Sequence, residues 1–270
     1  MKNAALALSE GDYSAKTNVK TKDEIGQLAG VLDTLSQRLK LAEEERENLD
    51  KMQEDFIANV SHELRTPVAV LRGSLELLKD GTVNSPEDVS EYYHQMLSES
   101  RHLERLVNDL LELTRLQDSS FQLRMEEVNL CHMVKDAARA IRRTAQSKQI
   151  IINTTLPDEE CFINGDYDRI RQLFLILLDN AVKFSYEHGS IEIILICQND
   201  IKLMITDHGS GIAAEEIPYI FDRFHKLNTK ENKSGTGLGL PIAGEIAKRH
   251  NGTISVQSDE VSTSFSIIFS

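Results

Sequence analysis

Apolar side chains recur at helical spacing between residues 21 and 56, and they predict a long helix. Residues 21–24 have the form of a capping box with Thr21 as the N-cap, so we expect the helix to begin there. The intervals of three and four that follow are those of a coiled-coil seam. Met52 and Phe56 are one residue out of step, so the supercoil has to adjust there. This helix is either a solvated dimer stalk or a signal-carrying helix with a variable register. The seam consists of Ile25, Leu28, Leu32, Leu35, Leu39, Ala42 and Leu49.

A second apolar series predicts that the helix continues and then turns back as a hairpin. Asp80-Gly81 should end the first helix, and the second should begin with Ser85 as N-cap and Pro86 in its first position. One hairpin buries too little surface to be stable alone, so we expect two chains to form a dimeric four-helix bundle. The apolar positions are Phe56, Val60, Leu64, Pro67, Leu71, Leu75 and Leu78 in the first helix, and Val89, Tyr93, Met96, Leu103, Leu106, Leu110 and Leu113 in the second.

Residues 120–270 alternate between helical and strand patterns, which predicts a separate globular domain. Because most of the predicted strands neighbour one another in antiparallel pairs, the expected fold class is an α+β two-layer sandwich with helices on one sheet. The chain then divides into residues 1–45, a hairpin at 46–119 and this domain at 120–270. We expect helices at 129–147, 166–185 and 237–250, a short helix near 213–221, and strands near 121–127, 150–155, 190–197, 201–206, 252–257 and 262–269.

The composition excludes several classes of protein. The chain has 270 residues with 30 basic and 43 acidic side chains, and a net charge of −13 argues against nucleic acid as a partner. The apolar share of 40% excludes wholesale disorder. Cys131, Cys161 and Cys197 are isolated in sequence, which excludes a disulfide scaffold or zinc module and favours a reducing cytosol. No apolar run is long enough to span a bilayer, and no signal peptide is recognisable, so the chain as given is expected to be soluble.

His62 is the first candidate for chemistry. At helical periodicity its side chain lies opposite the apolar series, so it should face solvent. Glu63 adjoins it, Thr66 lies one turn further on the same face, and Pro67 is able to bend the helix. An exposed histidine on a helix is usually only a surface residue, so these residues alone leave both interpretations open.

Groups suited to a phosphate-bearing ligand occur in the second domain. Asn180 and Lys183 share one helix face, where an amide oxygen could ligate Mg²⁺ and an ammonium could contact a phosphate. Asp207 ends a predicted strand, and its carboxylate could accept a hydrogen bond from an exocyclic amine. The glycine-rich run 235–240 opens the last helix, whose free N–H groups make an anion site. Each feature also fits an ordinary polar stripe or turn.

The segment SHELRTP at 61–67 resembles the phosphoacceptor box of the sensor histidine kinases of two-component systems. Four later segments are similar to the ATP-binding boxes of that family and follow in its order, so the resemblance covers about residues 50–270. They are the N box at 177–184, the G1 box at 207–212, the F box at 220–224 and the G2 box at 235–240. Residues 21–40 also resemble the second helix of a HAMP linker. The chain departs from the family at Ile176, where a second asparagine is usual.

The resemblance implies an ATP-dependent autokinase with ATP and Mg²⁺ as ligands. It implies that His62 accepts the phosphoryl group, that Glu63 orients its ring and takes its proton, and that Thr66 positions water for dephosphorylation of the partner. The polar stretch 226–234 would be the ATP lid, and Asn180 would hold the metal. The residues implied to contact the nucleotide are Asn180, Lys183, Phe184, Asp207, Gly209, Gly211, Phe221, Phe224, Gly235, Thr236, Gly237, Leu238 and Gly239.

The implied partners are a second copy of the chain, forming a homodimer, and the receiver domain of a response regulator. The family further implies a membrane anchor upstream of this fragment, which would make the chain the cytoplasmic portion of a cell-membrane sensor. Two other functions stay open. One is an ATP-gated clamp of the chaperone, gyrase and mismatch-repair kind, which the segment around His62 disfavours. The other is a dimeric coiled-coil adaptor that binds nucleotide without phosphorylating itself, which Ile176 alone favours.

Overall fold

The chain divides into two compact units, residues 1–63 and residues 64–270. The computed structural model describes the whole chain except residues 20, 22, 119, 199, 228, 230, 231, 233, 234 and 270. The first unit contains helix α1 (Lys2–Ser9) and the N-terminal part of α2 (Glu24–Lys79). The second contains the end of α2, helix α3 (Pro86–Gln117) and all the strands.

The start of α2 differs from the prediction in its cap. Asp23 takes the capping position, because its Oδ1 accepts a hydrogen bond from the N–H of Gly26 at 3.0 Å. The hydroxyl of Thr21 donates to that same oxygen at 2.6 Å. The prediction of Thr21 as N-cap is therefore wrong: the aspartate two residues later is the closer acceptor for the free amides, and Thr21 supports it.

In the first unit, the predicted coiled-coil seam of α2 is exposed to solvent. Ile25, Leu28, Leu35 and Leu49 all present large apolar side chains to solvent. The segment that follows α1 contacts a different side of this helix. There the Thr17 hydroxyl donates to Asp33 at 2.9 Å.

The hairpin ends are those that the sequence predicts. Helix α2 ends at Lys79, and Gly81 turns the chain with a φ of 68°. The Ser85 hydroxyl caps α3 by accepting the N–H of Asp88 at 3.1 Å, with Pro86 in the first turn. The hairpin therefore rests on capping residues that the sequence shows directly.

The second unit contains a mixed five-stranded sheet covered by helices. Its order is β2-β4-β5-β7-β6, with β2 and β4 parallel and the other neighbours antiparallel, and a separate two-stranded sheet pairs β1 with β3. The register aligns Ile193, Ile205 and Phe265 across the central strands, and all three are buried under the helices. The remaining elements are β1 (Glu126–Asn129), α4 (Leu130–Ser147), β2 (Ile151–Thr155), β3 (Phe162–Gly165), α5 (Tyr167–Phe184), β4 (Ser190–Cys197), β5 (Ile201–Asp207), α6 (Gly239–Arg249), β6 (Gly252–Ser258) and β7 (Thr263–Phe269).

Most elements of this unit match the prediction, and four differ. The strand expected near 121–127 lies at Glu126–Asn129, and β3 was not expected at all. The helix expected near 213–221 is reduced to a 3₁₀ turn, Ile217–Tyr219, because Pro218 has no N–H to continue an α-helix. Helix α6 begins two residues later and ends one residue earlier than expected, at Gly239 and Arg249.

Within the second unit, the C-terminal half of α3 packs against the part that contains the five-stranded sheet and its helices. Leu106, Leu113 and Leu116 are fully buried in the same apolar core as the sheet. Glu112 of α3 forms an ion pair with Arg169 of α5. Leu106 and Leu113, two of the apolar positions predicted for the hairpin, therefore contribute to the core that α3 shares with the sheet.

Candidate functional site

A cavity of about 270 Å³ lies in the second unit, between α5, the end of β5, the loop before α6, and α3. Its lining includes nine of the thirteen residues that the family resemblance implies for contact with the nucleotide. They are Asn180, Lys183, Phe184, Asp207, Gly211, Gly235, Thr236, Gly237 and Gly239. Segments far apart in the chain therefore meet at one site.

Helix α5 supplies the wall with the amide and ammonium groups. Its buried face, which includes Leu173 and Leu177, fixes the helix on the core, so that Asn180 and Lys183 point to the cavity. The Lys183 ammonium donates a hydrogen bond to Asn232 Oδ1 at 2.6 Å. Ile176 also lines the cavity, where it adds an apolar contact at the position that holds an asparagine in the resembled family.

Asp207 ends β5 inside the cavity wall and is only 3% exposed. Burial raises the pKa of its carboxyl to about 7, although the charge of His208 and the N–H of Gly209 act in the opposite direction. Within the described residues, its Oδ1 is buried without a hydrogen-bond partner. A buried acceptor without a partner is costly, so this oxygen is suited to an N–H donor on a ligand.

Gly209 does not line the cavity, and the structure gives it a different position. A Cβ there would stand 2.1 Å from the carbonyl oxygen of Phe184, because the chain after β5 passes directly against the end of α5. The two segments are joined by a bridge between Ser185 and Gly209. This close approach brings the two walls with Asp207 and Lys183 together.

The glycine-rich loop before α6 is held by the segment around Phe224. The N–H of Phe224 donates to the Gly237 carbonyl at 2.9 Å, and Gly237 has a φ of 71°. Leu238 is fully buried, and its N–H donates to the Thr236 hydroxyl at 3.3 Å. Phe221 meets Phe265 edge to face at 6.4 Å. Phe221, Phe224 and Leu238 thus lie behind the cavity and support its wall.

The cavity also contains residues that sequence reasoning missed. Arg105 and Asp109 reach it from α3, and Thr263 and Phe265 reach it from β7. Burial raises the pKa of the Asp109 carboxyl, against the opposing effects of the Thr236 hydroxyl and of the charges on Arg105 and His102. The available signal was that Arg105 and Asp109, four residues apart, share a helix face beside the apolar positions of α3.

The predicted lid at 226–234 falls partly outside the described residues. Leu227 and Asn232, which are described, line the cavity together with His225 just before the stretch. Nε2 of the His225 ring lies 2.8 Å from Oε2 of Glu216.

His62 lies on α2 in the first unit, and its side chain is 76% exposed, as predicted. Its Nδ1 is 4.0 Å from Oε1 of Glu63, whose side chain is half-buried. Thr66 is exposed, Pro67 is buried, and α2 is continuous through the proline. Glu63 therefore adjoins Nδ1, and Nε2 is the other nitrogen of the ring.

The described residues contain no cluster of three or more His, Cys, Asp or Glu side chains arranged to hold a metal ion. They likewise contain no helix with both the length and the apolar character needed to cross a membrane.

Comparison with known proteins assigns three domains along the chain. The HAMP domain matches residues 1–41, the His Kinase A (phospho-acceptor) domain residues 52–119, and the histidine kinase-, DNA gyrase B- and HSP90-like ATPase family residues 165–270. The signal transduction histidine-protein kinase BaeS of Escherichia coli is 33% identical over 252 residues, which are 92% of this chain and 51% of BaeS. The chain thus spans about half the length of this relative.

Two solved structures extend the likeness to the fold. The histidine kinase ThkA in complex with the response regulator protein TrrA has a TM-score of 0.69 at 25% identity, covering 85% of this chain and 65% of that one. Full-length ShkA in complex with AMPPNP has a TM-score of 0.59 at 27% identity, covering 80% and 45%. With all three domains in order and these relatives along most of its length, the chain belongs to the sensor histidine kinases.

Proposed function

We propose that this chain is an ATP-dependent protein-histidine kinase that phosphorylates itself on His62. The observation that carries the proposal is the buried, unpartnered Asp207 oxygen in a cavity that also contains Asn180, Lys183 and the glycine-rich loop. This set has an acceptor for an adenine amino group and donors for phosphates. The exposed imidazole of His62 beside Glu63 supplies the acceptor of the phosphoryl group.

Different groups around the cavity bind different parts of the nucleotide. Asp207 accepts a hydrogen bond from the 6-amino group of adenine, which gives its Oδ1 the missing partner. Lys183 exchanges Asn232 for a phosphate oxygen, and the free N–H groups at the start of α6 bind the remaining negative charge. Phe184 and Gly211 form the adjoining walls.

The cavity also suits a magnesium ion that arrives with the nucleotide. Protein Mg²⁺ sites of this type use one or two oxygen ligands and complete their shell with phosphates and water, and Asn180 offers such an oxygen. Asn180 would hold the ion, which would supply positive charge to offset that of the phosphates during transfer.

The phosphoryl transfer uses His62 Nε2 as nucleophile. A bond forms between Nε2 and the γ-phosphorus, the bond from that phosphorus to the bridging oxygen breaks, and ADP leaves. Glu63 takes the proton from Nδ1, which it adjoins at 4.0 Å. Transfer onward to a receiver-domain aspartate, with the proton returned from Glu63 to Nδ1, restores His62 to its starting state, and Thr66 positions water for the later removal of that phosphate.

The remaining assignments concern the whole protein. The exposed apolar seam of α2 supports a homodimer, because an apolar stripe of that length is stable only when covered. The response regulator as partner is supported by the likeness to ThkA, whose structure contains one. The HAMP domain supports a membrane-anchored sensor with this chain on the cytoplasmic side. We retain the division into residues 1–45, 46–119 and 120–270.

Labelling with γ-labelled ATP tests the kinase proposal. His62→Ala should abolish an acid-labile, base-stable label while ATP binding persists. His94→Ala is the matched control, because His94 is also exposed on a hairpin helix, and it should label normally. Persistent labelling of His62→Ala would refute the assignment. Unlabelled wild-type protein that binds ATP would instead indicate the nucleotide-binding adaptor.

A further inference from the structure

Helix α3 places a carboxylate against the glycine-rich loop of the nucleotide cavity. The hydroxyl of Thr236 donates a hydrogen bond to Oδ2 of Asp109 at 2.7 Å, a contact between residues 127 positions apart. Both side chains line the cavity, and Thr236 is buried. Asp109 lies on α3 and Thr236 in the loop before α6, so this tertiary contact joins the hairpin to the ATP-binding unit, by which we mean the five-stranded sheet with its helices and the cavity.

This contact and a bound phosphate compete for the same donor. A threonine hydroxyl has one proton and therefore one acceptor at a time. While Thr236 donates to Asp109, it has no proton to donate to a phosphate oxygen. A carboxylate at the loop also repels a polyanion, and the repulsion is stronger in a partly buried site than in water.

We propose that Asp109 is a built-in competitor for the phosphate-binding loop, which lowers the affinity of the cavity for nucleotides with distal phosphates. The proposal rests on the proposed function, since it takes ATP as the ligand. It makes a residue of the hairpin helix a determinant of nucleotide specificity in the ATP-binding unit. Arg105, four residues before Asp109 and also at the cavity, is close enough for its charge to act on this carboxyl, so a cation is available to Asp109 when the nucleotide displaces it from Thr236.

The contact is one of several that hold α3 in place. The pair between Glu112 and Arg169 and the buried leucines of α3 lie outside the cavity lining. Loss of the Asp109 contact therefore loosens α3 locally. Because coupling between two binding events is reciprocal, a nucleotide that breaks this contact must also weaken the docking of α3.

The test compares ATP and adenosine binding to the full chain by titration calorimetry. Asp109→Asn keeps the size of the side chain and removes its charge, so it should tighten ATP by roughly three- to thirtyfold and leave adenosine within about twofold. Glu104→Gln is the control: it removes the same charge from an exposed position of α3 outside the cavity lining and should change neither.

Three results would overturn the inference. The first is an unchanged ratio of ATP to adenosine affinity in Asp109→Asn. The second is weaker ATP binding in that variant, which would make Asp109 a support for Thr236, and the third is an equal change of ATP affinity in Glu104→Gln. A second measurement needs no variant: AMPPNP, but not adenosine, should speed hydrogen exchange in the 105–113 stretch of wild-type α3, and unchanged exchange contradicts the proposal. Wild-type protein that binds ATP and labels His62 while failing these tests leaves the kinase proposal intact.

Discussion

Asp207 should make adenine binding depend on pH in a way that the structure determines. The pKa of the nucleotide-free carboxyl is about 7 because the group is buried. An adenine amino group stabilises the ionised form, so binding lowers this pKa and releases a proton. Affinity should therefore rise with pH up to about 7, level off above it, and fall about tenfold for each pH unit below it, until the pKa of the complex is reached.

The same burial lowers the stability of the empty protein. The difference between the ordinary value of 3.8 and about 7 corresponds to roughly 4 kcal/mol. Because the folded-state pKa is the higher one, this cost is absent below pH 3.8, grows as the pH rises between the two values, and is complete above about 7. Asp207→Asn should thus stabilise the empty protein at pH 8 by up to a few kcal/mol while weakening adenine binding about tenfold.

Calorimetric titration with adenosine between pH 6 and 8 measures the binding effect, because adenosine carries no phosphate to titrate. Asp207→Asn is the reference for this titration, because it removes only the carboxyl. Urea unfolding at pH 5 and pH 8 measures the stability effect. A wild-type affinity that is flat with pH, a pH dependence that survives in Asp207→Asn, or a variant less stable at pH 8 would each refute the reasoning.

Three further predictions concern stability and can be measured by urea unfolding. His250→Ala should lower the free energy of unfolding by about 2–4 kcal/mol, because the buried ring accepts the N–H of Asp166 at 3.0 Å and leaves a cavity when removed. Gly237→Ala should lower the free energy of unfolding by about 1–3 kcal/mol and also weaken ATP binding, since its φ is 71° and a Cβ would meet the Phe224 backbone at 2.7 Å. Its control, Gly73→Ala, lies in open space on α2 and should stabilise the protein by about 0.5–1 kcal/mol. Glu112→Gln should lower the free energy of unfolding by about 1–3 kcal/mol, because it leaves the half-buried Arg169 without its ion pair. Its control, Glu76→Gln, removes an exposed pair on α2 and should lower that free energy by less than about 0.5 kcal/mol.

Local chemistry explains which elements the sequence predicts and which it does not. Ser85 caps α3 as predicted, and Asn129 and Asp166, where two further helices were expected to begin, cap those helices, because a cap depends on amides within three residues. Strand β3 is only four residues long and gains its hydrogen bonds from β1, more than thirty residues earlier, so no local pattern specifies it. The contact of Asp109 could not be predicted from the sequence for the same reason, because its partner Thr236 is brought to it only by the tertiary packing of α3 on the ATP-binding unit.

The net charge of −13 and a site for a polyanion are compatible because the charge is not where the ligand binds. Residues 43–55 of α2 hold seven acids and two bases, and none of them lines the cavity. At this site, burial has already raised the pKa of both Asp207 and Asp109, so removing these carboxylates from water costs the empty protein free energy. An adenine amino group repays that cost at Asp207, whereas a phosphate increases it at Asp109. Local burial, more than total charge, therefore decides which part of a nucleotide the cavity accepts.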